Sequence, residues 1–274
     1  MSKVQPQAPQ AESAAAGAVT LDQATIRFGE VTAFQDVSLD IRPGEFVSVV
    51  GPSGCGKTTI LNYIAGLLPR EVLSEGSIDV LGEAPTTGNP HLGYMLARDS
   101  LLPWRTALGN AEFGMEARGV AKAERRARAH ELLARVGLKD FEKSYPKMLS
   151  HGMRQRVALA RTFCLDAELL LMDEPYGALD AQTKFQLEEL LMDLWQGSGR
   201  TVLFITHDLA EAIALGDRVV VMAPRPGRII SDIEIDLPRP RNLRALQRDT
   251  RYHELYRHVW STLEEGFENT GEQQ

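Results

Sequence analysis

The stretch "VSVVGPSGCGKTT" (Val47–Thr59) decides the fold. Its opening "VSVV" continues the apolar run "EFVSVV" and reads as a buried strand. Gly-x-x-x-x-Gly-Lys-Thr follows from Gly51 to Thr58. Then "KTTILNYIAGLL" places Ile60, Leu61, Ile64 and Leu67 or Leu68 at helical spacing. A strand that feeds a glycine-rich loop opening into a helix is a phosphate cradle. Backbone N–H groups of Gly51, Ser53, Gly54, Cys55 and Gly56 can curl around phosphate oxygens, with Pro52, which has no N–H to give, shaping the loop between them. The helix beginning at Lys57, Thr58 and Thr59 adds the positive end of its dipole. Lys57 is placed to pair with β- and γ-phosphates, and the Thr58 hydroxyl to ligate Mg²⁺. The competing reading, a glycine-rich turn that happens to contain Lys-Thr, does not explain the strand before it and the helix after it. Cys55 reads as small-residue filler, with thiol modification as the alternative.

Working outward, "VTLDQATIRFG" and "AFQDVSLDI" are short apolar runs broken by turn residues and read as strands before the loop. From about 106 to 162 the chain turns helical, with "AKAERRARAHELLARVGL" its clearest segment; the basic run within it reads as a solvated helix face. Strand signals return as "ELLLMD", "RTVLFIT" and "RVVVM", separated by helical stretches. That alternation predicts an α/β fold with a mainly parallel, buried sheet, interrupted by an inserted helical block. In the tail from Asn242 to Phe267, Leu243, Leu246, Leu255, Tyr256, Val259, Trp260, Leu263 and Phe267 recur largely at three- and four-residue steps. They predict a helix packed on its own core, with a partner-binding helix as the alternative. Residues 1–18 are rich in Ala, Gln and Pro, lack the pattern of a signal peptide and read as a disordered tail.

Composition narrows the function. The 274 residues include 43% hydrophobic and 24% charged residues, ordinary for a globular protein, and no run approaches a membrane span. A net charge of −7 argues against nucleic acid as the main partner. Cys55 and Cys164, with no CxxC spacing, exclude a disulfide scaffold and a cysteine-built zinc site.

Three further stretches carry chemistry. "ELLLMDEP" runs through a buried sheet and brings Asp173 out at its C-terminal edge, where ligands collect in such folds. An acid there can complete a magnesium shell, and Glu174 beside it can orient or deprotonate an attacking water. "FITHDLAEAI" ends another strand at His207, within reach of a γ-phosphate; taken alone, a structural histidine is the commoner reading. Finally, "LSHGMRQRVALAR" (149–161) opens a second helix, with Ser150 as N-cap and Gly152 leaving its backbone open to an anion.

In this order the motifs resemble the ATP-binding cassette family, the ATPase subunits of ABC transporters, over about 19–237. The resemblance implies a P-loop NTPase (RecA-like) α/β core with an antiparallel β subdomain and a helical subdomain inserted at about 98–162. Residues 238–274 are then a C-terminal helical extension. It also implies head-to-tail pairing, in which the "LSGGQ"-like helix of one subunit caps the ATP held by its partner. Ser150 and Gly152 would meet the γ-phosphate across the interface, Asp180 of "GALD" would link the two sites, and Phe28 would stack on adenine or serve as a core aromatic. "LLPWRTALGNAEFG", "MDEPYGALDAQT" and "IDLPRPRN" resemble the importer branch for nitrate, sulfonates and taurine. That branch implies Mg²⁺-dependent ATP hydrolysis at the cytoplasmic face of a bacterial membrane. The implied partners are transmembrane permease subunits docking near "ARDSLLPWR", a second cassette as homo- or heterodimer, and indirectly a solute-binding protein.

Two positions depart from the family. Ala97 stands where a glutamine usually reaches towards Mg²⁺ and the attacking water, a loss worth ~10²–10³ in rate by analogy with oxyanion-hole deletions. Arg98 and Asp99 read first as surface residues. His151 replaces the first glycine of the signature, while Gly152 keeps the close backbone approach. With Lys57, Asp173, Glu174 and His207 retained, a slow or tightly gated ATPase is expected; a slow-turnover regulatory nucleotide-binding subunit and a soluble non-transport cassette ATPase are the alternatives, and the transported solute stays open.

Overall fold

A computed structural model describes residues 17–69, 71–97, 100–177 and 179–268. Strands β1 (Val19–Phe28), β2 (Val31–Ile41) and β4 (Leu73–Val80) form an antiparallel sheet in the order β2-β1-β4. The second sheet, six-stranded among the described residues, runs β5-β6-β7-β3-β8-β9. It comprises β5 (Leu92–Met95), β6 (Leu169–Asp173), β7 (Thr201–Ile205), β3 (Phe46–Val50), β8 (Arg218–Met222) and β9 (Ile229–Glu234). Its pairings are parallel except for β8 with β9.

The apolar runs at β3, β6 and β7 exist because both faces of this sheet are covered. Phe46, Val50, Leu170 and Met172 point into one core. Val47, Val49, Leu169 and Leu171 point into the other, which is shared with β1, β2 and α1 (Lys57–Ile64). Burying a side chain of this size is worth roughly 1.5–3 kcal/mol, which is why near-continuous Val/Leu survives here without alternation.

The inserted block contains α2 (Ala107–Ala111), α3 (Phe113–Ala117), α4 (Lys122–Arg135) and α5 (His151–Cys164). Helix α5 packs against α2, α3 and α4, and also against β5 and α6 (Ala181–Trp195), so it joins the insertion to the core. Helix α7 (Leu209–Leu215) lies between β7 and β8, and α8 (Leu243–Leu246) and α9 (Thr250–Glu268) follow β9.

Several details differ from the sequence expectations. Helix α1 stops at Ile64, because Gly66 takes φ 64°; of the two alternatives beyond it Leu67 is exposed, while Leu68 packs against the core from outside the helix. The tail packs on its own core through Leu243, Leu246, Tyr252, Leu255 and Val259, whereas Trp260 faces outward. The packing of Phe267, and Arg98 and Asp99 altogether, lie outside the described residues, as do residues 1–16 of the expected tail. Ala18 is buried and donates its N–H to the Ile41 carbonyl.

Candidate nucleotide site

Because β3, β5, β6 and β7 run parallel, their C-terminal ends lie along one edge. Backbone bonds knit that edge together: Glu174 donates to the Ile205 carbonyl (2.9 Å) and Thr206 to that of Val49 (3.2 Å). The loop after β3, the Asp173–Glu174 pair after β6 and His207 after β7 therefore share one mouth.

Within the loop, Lys57 is buried, and its ammonium donates to the carbonyls of Gly51 (2.8 Å) and Pro52 (3.0 Å). Gly56 caps α1 with φ 96°, and a side chain there would strike the Ala33 carbonyl at 2.9 Å. Cys55 is buried under the loop, and desolvation raises its thiol pKa despite Lys57 nearby, so it is held as a packing group rather than a thiolate.

Thr58 donates its hydroxyl to Asp173 Oδ1 at 3.2 Å. Burial first, and the neighbouring charge of Glu174 as well, raise the Asp173 pKa against the Thr58 hydrogen bond and Lys57. A cation beside these oxygens would relieve that penalty. Among the described residues no cluster of three or more His, Cys, Asp or Glu side chains could hold a metal alone. An ion here would take hard protein oxygens from Thr58 and Asp173 and complete its shell from phosphate and water, the donor set that suits Mg²⁺ at phosphates. The donor set fits.

Glu174 lies a third exposed, with Oε2 3.0 Å from Nδ1 of the exposed His207 ring. Its backbone takes φ 42°, a strained setting for a non-glycine residue that turns its carboxylate to the mouth of the site. Phe28 ends β1 with 41% of its surface exposed, so it is not a core aromatic.

The other predicted residues form a second group. Ser150 caps α5 by accepting the Met153 N–H (3.2 Å), and Asp180 caps α6 by accepting that of Thr183 (2.9 Å). Both line a cavity of about 390 Å³ with His151, Gly152 and Arg156. Gly152 sits so close to Thr183 that a Cβ would meet its methyl at 2.6 Å. Met153 occupies the fifth place of the "LSGGQ"-like stretch, a thioether where that pattern has an amide; the sequence reading passed over it. Ala97 lies exposed two residues beyond β5, whose last pair in the register is Met95 with Met172, one residue before Asp173.

These features define a P-loop nucleotide-binding ATPase fold. The family model for the ABC transporter matches residues 34–177. The chain is 46% identical over 214 residues to the taurine import ATP-binding protein TauB of Rhizobium johnstonii, covering 78% of this chain and 80% of the relative. It is 39% identical over 240 residues to TauB of Escherichia coli, covering 86% and 93%. A dimeric post-hydrolysis ATP-binding cassette bound to ADP and Pi superposes with a TM-score of 0.69 at 31% identity, over 80% of this chain and all of that one. The chain belongs to the ABC transporter family.

Proposed function

We propose that this chain is the ATP-hydrolysing subunit of an importer for taurine or a related small solute, working as a head-to-tail dimer on a separate permease. The observation that carries this reading is the convergence of Lys57, the Thr58–Asp173 pair and the Glu174–His207 pair on one strand edge. Mg²⁺, held by Thr58 and Asp173, would neutralise charge on the transferred phosphoryl group. Lys57 and the loop N–H groups bind the phosphates. Glu174 accepts the proton of the attacking water, and His207 orients Glu174 and the γ-phosphate. Ser150 and Gly152 of the second subunit close the site, and Phe28 stacks on the adenine.

No helix among the described residues is long and apolar enough to cross a membrane, so coupling to transport needs a partner that does. The exposed Leu96, Trp104 and Phe113 offer a surface for that partner. The loop carrying Trp104 is fixed from below by buried Asn110, which bonds to Leu102, Arg105 and Thr106. The complex would sit on the cytoplasmic face of the membrane with a solute-binding protein on the other side. Ala97 supports slow turnover.

The test is steady-state MgATP hydrolysis by wild type, Lys57→Ala and Glu174→Gln, with size-exclusion chromatography in ATP. Turnover in wild type alone, with Glu174→Gln held as an ATP-bound dimer, supports the reading. Absence of wild-type turnover even with the permease, or unchanged turnover in Lys57→Ala, rejects it.

A further inference from the structure

Helix α7 starts two residues after His207, so whatever holds α7 fixes where the imidazole stands. Asp208 caps the helix: its Oδ1 accepts the N–H groups of Ala210 (2.9 Å) and Glu211 (3.3 Å). Its other oxygen accepts from Lys184 Nζ at 2.7 Å. The same ammonium lies 3.5 Å from Glu211 Oε2, which also accepts the Thr206 hydroxyl. Lys184 thus holds Asp208 directly, and Glu211, its second partner, holds Thr206 on the other side of His207.

Lys184 stands near the start of α6, four residues after Asp180, to whose carbonyl its own N–H is bonded (2.9 Å). A cation near a helix N-terminus opposes the macrodipole, so helix stability does not account for this residue. The anions across from it do. Glu188, one turn further along α6, lines the same cavity of about 160 Å³, which Tyr252 and Leu243 close from the C-terminal extension.

The extension also grips α7 at both ends. Tyr252 donates its hydroxyl to the Ala210 carbonyl (3.2 Å). At the other end Arg241, with a side chain 1% exposed, donates to the carbonyls of Ile213, Ala214 and Gly216, and Arg239 donates to that of Leu215. The Lys184–Asp208 ion pair adds a direct side-chain connection from α6 to the turn that carries His207.

We propose that Lys184 is a positioning residue for hydrolysis: its ion pair with Asp208 ties the start of α6, and with it Asp180, to the turn presenting His207. This rests on the ATPase reading above. The experiment measures kcat, KM and melting temperature for wild type, Lys184→Met, Lys184→Arg, His207→Ala and the double variant Lys184→Met/His207→Ala. Lys184→Met is expected to lower kcat about tenfold or more with KM unchanged, since a small misplacement of a reacting group costs rate rather than binding. Lys184→Arg restores most of the loss. In the His207→Ala background the Lys184 change adds nothing, the mark of two residues acting through one effect. Full kcat in Lys184→Met, a rise in KM alone, or losses that multiply in the double variant would overturn the proposal. If Lys184→Met does not fold, Asp208→Asn takes its place in the same cycle, because it keeps the cap oxygen and removes the charge facing Lys184. Wild type without turnover overturns the ATPase reading, and the proposal with it; an active wild type with an unaffected Lys184→Met overturns the proposal alone.

Discussion

Glu174 Oε2 meets His207 Nδ1 at 3.0 Å from a backbone held at φ 42°. An L-residue in that region costs roughly 1–2 kcal/mol, while glycine gives up part of the gain through backbone entropy. Glu174→Gly is therefore expected to melt at or slightly above the wild-type temperature while losing ~10²–10⁴ in kcat with the general base. A drop of several degrees in melting temperature would show that the turn is not strained.

Two glycines of the phosphate loop separate strain from collision. Gly56→Ala places a Cβ 2.9 Å from the Ala33 carbonyl at φ 96°, whereas Gly54→Ala at φ 80° meets nothing nearer than Arg225 Nη2 at 3.5 Å. Gly54→Ala should cost about 1 kcal/mol and Gly56→Ala about 2–4 kcal/mol, with ATP affinity falling in the same order. Urea midpoints and binding of a fluorescent nucleotide check the ranking, and equal losses at both positions would contradict it.

The loop, Asp173, Glu174 and His207 were legible in the sequence because each is a short local pattern at the end of an apolar run. Strands β4, β5 and β9 were not. "LGYM" is only four residues long, and "LSEGSIDV" is mostly exposed and broken by Gly76 at φ 79°. The Lys184–Asp208 pair joins residues 24 apart, and nothing in either neighbourhood names its partner. Arg239 and Arg241 stood out in the sequence only as part of "IDLPRPRN"; their work as caps on α7 depends on how the chain returns across the sheet. Tyr252 was missed because its neighbours in "RYHELY" are polar, although its ring is buried against α7.

Ala97 is the departure with the clearest kinetic consequence. It lies exposed just past the end of β5, the strand beside the one that carries Asp173, and its methyl group can neither donate nor accept a hydrogen bond. Ala97→Gln is expected to raise kcat by roughly tenfold or more, part of the ~10²–10³ that one well-placed polar group contributes in such sites. Phosphate-release assays on wild type and variant decide it, and an unchanged kcat would place the rate limit elsewhere.

Arg241 tests how firmly the extension belongs to the core. Its guanidinium bonds the carbonyls of Ile213, Ala214, Gly216 and Ile235, and burial lowers its pKa to about 9. Replacing it with Met keeps the stem but leaves those acceptors unpaired, a loss of about 2–4 kcal/mol. A shift in the urea midpoint smaller than about 1 kcal/mol would mean the carbonyls find other donors.

The carboxylates beneath α7 give the protein a pH-dependent stability whose sign follows from proton counting. Burial first, then the charge of Glu211, raise the Glu188 pKa from 4.5 to about 8, with Lys184 opposing and Asp208 and Glu189 adding to the rise. Between those values the native state keeps a proton that the unfolded chain has released. Stability is therefore fully present below the unfolded value, falls as pH rises, and levels off once the native carboxyl has ionised. Glu188→Gln keeps the neutral shape at every pH, so it should remove on the order of 2 kcal/mol of this dependence and be the more stable form above pH ~8. Urea midpoints of both proteins at mildly acidic, neutral and mildly alkaline pH read this out. Parallel curves would mean that Glu188 is already ionised in the folded protein and that Lys184 compensates its charge fully.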